Sequence, residues 1–228
     1  MHIPDGWVDL PTSAAAAVLA GAGVAVAARR TAARLKERAT TLPAVVAAYL
    51  LVAQLPVVPL GVGTTAHLVG TGLATVLVGP AVAIVCVTTV VVVQALVLAD
   101  GGVTALGLNL LHNGIVPALV ASVVLTAGRR LSPGDDDLRR MPLLAGVAAA
   151  LATMAAAATA AAELALGGTD VIPPGTVAAV IGGAHLVVAA GEGLLTASIV
   201  SVLIRLRPDL VVGSARSQPS ATAERSTQ

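Results

Sequence analysis

The chain has 228 residues, of which 57% are hydrophobic and 11% charged, and its mean hydropathy is +0.93. A water-soluble domain of this size has too little polar surface to cover that much apolar material, so the bilayer is the expected solvent. The formal net charge of +1 points to no partner, and one cysteine, Cys86, in an apolar run excludes an intrachain disulfide and a thiolate cluster. With one Trp, one Tyr and no Phe, an aromatic belt is missing and helices are expected to pack through small side chains.

The chain opens with MHIPDGW. The amine of Met1, the Met1–His2 amide and the His2 imidazole can close adjacent chelate rings on one ion. Such coplanar nitrogens favour the tetragonal geometry of Ni(II) and Cu(II) over Zn(II) or Mg(II), and they need a fourth nitrogen from elsewhere. No basic residue precedes the first apolar run, so no cleavable signal peptide is expected and Met1 should stay in place. Pro4, Asp5 and Gly6 form a turn before Trp7 that lets this arm fold inward. Asp5 is a candidate to orient a ligand imidazole, or simply a turn residue.

A helix needs roughly 20 apolar residues to cross the hydrocarbon core. Spans are expected near 11–28, 42–60, 64–79, 80–98, 107–127, 142–166 and 175–204. The expected fold is therefore an all-α, polytopic bundle of about seven transmembrane helices. Only Gly79-Pro80 separates the third and fourth, which could instead form one irregular segment or a re-entrant pair. Arg29, Arg30, Arg34, Lys36 and Arg38 follow the first span, and Arg129, Arg130, Arg139 and Arg140 the fifth. Arg205, Arg207, Arg216 and Arg225 follow the seventh, so all thirteen Lys and Arg share one side. That places the N-terminus outside and the C-terminus in the cytoplasm. Outer loops hold Asp5, Asp9, Asp100 and Asp170 and no basic residue, a field that concentrates cations. Residues 1–207 form the membrane metal-binding domain and residues 208–228 a polar, disordered tail.

Polar groups inside apolar spans are costly and are functional candidates by default. His67, in GTTAHLVGTG at the outer end of the third span, faces the same side as Met1. Asn109, His112 and Asn113 share one helical face by their spacing. His112 and His185 could ligate, support a ligand or bond a carbonyl, and the last reading is favoured. Glu192 lies two turns after His185 and needs a partner, with Asn109, Asn113, Gln94 and Thr196 as candidates. Glu163 could snorkel to water or add to the outer acidic field. Gly101-Gly102 and Gly107 suit a tight connection over the outer mouth. Phosphate-loop, HExxH, CxxC and GxSxG motifs are all absent, which speaks against an enzyme and leaves no route to ATP hydrolysis in this chain.

Several stretches together, MHIPDGW, GTTAHLVG, VLVGPAVAI, VVVVQALVLADGGVTALGLNLLHNGIVP and HLVVAAGEGLLTASIVSVLIRLRPDL, resemble the CbiM/NikM family. Those proteins are the substrate-binding membrane subunits of energy-coupling-factor cobalt and nickel transporters. The resemblance implies an ion held by the Met1 amine, the backbone nitrogen and imidazole of His2, and His67. Asp5, Asn109, His112, His185 and Glu192 remain accessory candidates. It also implies no cofactor beyond the transported Co2+ or Ni2+. The implied partners are a transmembrane coupling subunit, two cytoplasmic ATPase subunits and a small accessory membrane protein, in the cell membrane. His112 departs from the family pattern, where many members carry a smaller or apolar residue. The other readings weighed are a vitamin-binding subunit of the same transporter class, an intramembrane metal-dependent enzyme and a channel or gradient-driven permease.

Overall fold

The computed structural model describes residues 1–35, 41–62, 64–131, 137–169 and 172–211. Of the residues named above, Lys36, Arg38, Asp170, Arg216 and Arg225 lie outside the described residues, as does residue 212 onward of the expected tail. The described residues hold seven helices: α1 (Leu10–Leu35), α2 (Leu42–Ala53), α3 (Thr71–Val78), α4 (Pro80–Val97), α5 (Leu106–Leu131), α6 (Asp137–Gly167) and α7 (Pro174–Leu206). Five of them, α1 and α4 to α7, are long and apolar enough to cross a membrane. At 12 and 8 residues, α2 and α3 rise only about 18 and 12 Å, short of the roughly 30 Å hydrocarbon core.

This corrects the expected continuous spans at 42–60 and 64–79. The chain leaves α2 at Gln54 and turns through an antiparallel hairpin, β1 (Val58–Pro59) with β2 (Thr65–Ala66). It then runs without helix through 67–70. Pro56 and Pro59 cannot donate to a helical ladder, and Gly61 and Gly70 both sit at φ 72°, a conformation glycine adopts without penalty. α3 and α4 are two separate helices packed on each other. Gly79, at φ 79° and ψ 163°, reverses the chain between them, and Pro80 starts α4 at a position where no N–H is needed.

Polarity is inverted relative to a soluble protein. Val18, Val123, Val187 and Leu194 are 73, 67, 75 and 72% exposed, whereas Gln54, Gln94, Asn109, His112, Asn113 and His185 are fully buried. That is the arrangement expected where lipid tails surround the bundle. Helices approach closely through small residues: a Cβ on Gly146 of α6 would stand 2.6 Å from the Gly193 carbonyl oxygen of α7.

The two ends of the bundle differ. At one end Met1, Ile3, Val62, Ala105, Leu164 and Ile181 form an apolar cluster around the N-terminal arm. At the other, Leu125, Met141 and Val211 pack together, Arg129 reaches the Met141 sulfur at 3.5 Å, and Arg30 shares a groove with Pro80 and Ser122. Residues expected in the tail begin with a 3-10 turn, Pro208–Leu210, after which Val211 is buried in the bundle.

Candidate metal centre

The N-terminal arm is drawn into the end of the bundle. Met1, His2 and Ile3 are at most 2% exposed, and burying Met and Ile side chains stabilises such docking by about 1.5–3 kcal/mol each. Main-chain bonds stitch the arm down. Asn109 pairs with Ile3 in both directions, its Oδ1 accepting from the Ile3 N–H at 2.8 Å and its Nδ2 donating to the Ile3 carbonyl at 3.1 Å. The Gly102 N–H donates to the same carbonyl at 2.9 Å. A side chain at Gly102 would strike the Asp5 backbone at 2.4 Å, which explains the second glycine of the Gly101-Gly102 pair. Farther along, the Asp9 N–H donates to the Gly167 carbonyl at 2.7 Å and the Thr169 N–H to the Trp7 carbonyl at 3.1 Å.

His67 arrives on the non-helical segment that follows the hairpin, not on a helix as the sequence led one to expect. Its Nδ1–H donates to the Leu68 carbonyl at 2.7 Å, which leaves the Nε2 lone pair free. That Nε2 meets the Met1 amine. The His2 ring stacks on the His67 ring, centroids 4.8 Å apart and planes at 21°. Both His2 ring nitrogens are buried without a hydrogen-bond partner. Burial, and then the nearby His112, push the His2 imidazole down to about 3, so it is neutral at physiological pH and able to bind a cation. Among the described residues no three His, Cys, Asp or Glu side chains converge to hold an ion.

The remaining candidates take supporting places. Asp5 does not reach a ligand imidazole; it accepts the Thr104 N–H at 2.7 Å and the Thr104 hydroxyl at 2.6 Å. Asp100 is nearer the centre, 3.9 Å from His2 Nε2. Both nitrogens of His112 are engaged, Nδ1 with Glu163 at 2.6 Å and Nε2 with the Met1 carbonyl at 3.0 Å. Glu163 thus faces inward and neither snorkels nor joins an outer field. Asn113 Nδ2 donates to the same Met1 carbonyl at 2.6 Å. His185 bonds the Ile181 carbonyl at 2.8 Å through Nδ1, the carbonyl-bonding reading, and its Nε2 has no hydrogen-bond partner.

Glu192 has none of the four partners considered for it. Its carboxylate accepts the Val69 and Gly70 N–H groups and the Thr153 hydroxyl, the last at 2.8 Å. Gln54 Nε2 donates to the Val69 carbonyl at 2.7 Å. Gln54 and Thr153 were missed from sequence, although a glutamine between an apolar run and Pro56 is itself an anomaly. Together with Glu192 they satisfy the backbone that carries His67. A π-turn, Leu111–Ile115, sets His112 and Asn113 on the inner face of α5. Pro117 has no N–H for the Asn113 carbonyl, the Val116 N–H reaches back to Leu111, and the freed Asn113 carbonyl accepts the Thr71 hydroxyl.

A lipid-facing bundle that buries its own N-terminal arm against two histidines defines a polytopic membrane protein with a small, nitrogen-rich polar centre near one end. The chain matches the family described as CbiM, cobalt uptake substrate-specific transmembrane region, over residues 2–210. A putative metal transport protein of Haloquadratum walsbyi is 33% identical over 92% of this chain and 93% of its own length. A fused nickel transport protein, NikMN, of Rhodobacter capsulatus is 32% identical, and this chain spans 64% of that protein's length. A solved transition metal transporter superposes with a TM-score of 0.82 over 90% of this chain and 93% of that one, at 24% identity, a likeness of fold. The chain belongs to the CbiM/NikM family, the membrane subunits of energy-coupling-factor metal transporters. It is a multi-pass plasma-membrane transport protein and not an enzyme, which sets aside the intramembrane enzyme reading.

Proposed function

We infer that the chain is the substrate-capture subunit for import of Co2+ or Ni2+, holding the ion with the Met1 amine, the backbone nitrogen and imidazole of His2, and the Nε2 of His67. The observation that carries this reading is the meeting of the Met1 amine with His67 Nε2 beside a His2 ring whose buried nitrogens have no hydrogen-bond partner. Buried polar atoms left unpaired are costly, and an ion removes that cost. Three nitrogens from adjacent residues and one imidazole suit a square-planar set. Accessory support comes from Asn109 and Asp5, which pin the arm, and from Glu192, which pins the His67 segment.

In this reading the arm end faces outside and the basic end of the bundle faces the cytoplasm, giving an N-out, C-in protein with seven membrane-inserted helices, two of them short. Outer carboxylates such as Asp9 and Asp100 raise the local cation concentration, the arm closes, and water ligands are replaced by nitrogen. Energy comes from partners, since the chain has no nucleotide-binding motif: a transmembrane coupling subunit, two cytoplasmic ATPase subunits and a small accessory membrane protein. The relatives named as fused NikMN proteins, which are longer than this chain, support an additional component. The near absence of aromatic side chains for stacking weighs against an organic vitamin as cargo.

The test is three alanines added before Met1, which carry the amine out of chelating reach of the His2 imidazole and leave the bundle sequence untouched. Isothermal titration with Ni(II) should show binding lost in the extended protein and weakened in His67→Ala. Unchanged affinity in the extended protein overturns the site.

A further inference from the structure

The Met1 carbonyl oxygen is solvated by two buried side chains of the protein. Asn113 Nδ2 donates to it at 2.6 Å and His112 Nε2 stands 3.0 Å away. A carbonyl can only accept, so the proton between it and the imidazole is on Nε2. The other imidazole nitrogen is 2.6 Å from Glu163, which fixes the ring's orientation. His112 and Asn113 are fully buried and Glu163 nearly so. Two donors aimed at one amide oxygen, with a carboxylate behind one of them, exceed what docking a short apolar arm requires: Ile3 and Asn109 already pin the neighbouring peptide.

We propose that His112 and Asn113 are positioning residues that stabilise the negative charge placed on the Met1 carbonyl oxygen when the ion takes the Met1–His2 peptide nitrogen. The inference rests on the ligand set proposed above. In the step, the His2 N–H bond breaks, its proton passes to water, and a bond forms between that nitrogen and the metal. The electron pair left behind is shared with the Met1 carbonyl oxygen as an imidate. Preorganised donors at an atom where charge develops cost no reorganisation at that moment and act at full strength in a water-poor site. Glu163, against Nδ1, holds the His112 ring so that its Nε2–H points at the oxygen. The pair therefore favours ions able to displace an amide proton, as square-planar Ni(II) does, over ions bound by amine and imidazole alone.

The experiment compares Ni(II) with Zn(II) on the purified full chain in detergent, following affinity and the nickel absorption spectrum. Losing a hydrogen bond to a charged group should lower Ni(II) affinity about 10- to 100-fold in Asn113→Leu. Zn(II) affinity should stay within about threefold, being independent of the imidate. At saturation, Asn113→Leu should replace the square-planar nickel spectrum with a six-coordinate one. His112→Leu should behave alike, and His112→Gln, which keeps an N–H near the oxygen, should recover most of the loss. If the leucine variants do not fold, Asn113→Asp, equal in size and lacking the donor, serves instead, with a larger loss for nickel than for zinc. Equal losses for both metals, or an unchanged planar spectrum and nickel affinity, overturn the inference. The alanine-extended protein separates the two readings. Nickel binding that survives the extension defeats the ligand set itself, whereas binding lost there but intact in Asn113→Leu defeats only the oxyanion pair.

Discussion

Asp5 and His2 make the arm sensitive to pH in opposite chemical ways with the same sign. The Thr104 hydroxyl and N–H hold the Asp5 carboxyl below its usual range. Its contribution to docking is thus present above the ordinary carboxylate value and lost as pH falls through the docked value. Burial depresses His2 to about 3, so the docked arm excludes a proton that the free arm binds below roughly 6.5. Docking should therefore weaken by up to about tenfold per pH unit below 6.5, with a further loss from Asp5 below the ordinary carboxylate range. Trp7, the one tryptophan, packs against the arm cluster and reports on this directly. An acid titration of its emission should lose the lower phase in Asp5→Asn, and a single transition unaffected by that substitution would refute the assignment. At this scale the sequence singled out the residues proposed as ligands, because MHIPDGW carries possible chelate rings in adjacent residues. It hid the partners: His112 and Glu163 are 51 positions apart, and nothing local joins them.

The segment 67–70 is where element-level reading failed, and the reason is length. Apolar runs long enough to span are read as helices, yet Pro56, Pro59, Gly61 and Gly70 break this one into a helix, a hairpin and a strap. Glu192 replaces the missing helical partners of the strap. Glu192→Ala would leave the Val69 and Gly70 N–H groups buried and unpaired, at about 1–3 kcal/mol each. Its thermal unfolding midpoint in detergent should drop well below that of Glu192→Gln, which keeps one acceptor oxygen, and equal midpoints would show that the carboxylate is dispensable. The π-turn makes a sharper prediction. Pro117→Ala restores a donor for the Asn113 carbonyl and allows a regular α-turn, which rotates Asn113 and His112 away from Met1. Unfolding should be unchanged or slightly delayed while nickel affinity falls; a fall in both would mean that the turn is only a packing feature.

Over the whole molecule, the charge pattern was legible because the positive-inside bias depends on composition at span ends and not on where each helix stops. The structure gathers Arg30 and Arg129 at the end opposite the arm. With Cys86 replaced by Ser, a cysteine at Val103, 54% exposed beside the arm, should react with an impermeant maleimide on intact cells. One at Leu131, 83% exposed at the basic end, should react only after permeabilisation. The reverse pattern would invert the topology. The proposed function requires that an arm of main-chain nitrogen, not a cluster of side chains, receive the ion. X-ray absorption at the nickel edge of the loaded full-length protein tests this most directly. A planar shell of four nitrogens, two of them imidazole, is the predicted result, and a six-coordinate shell rich in oxygen would contradict it.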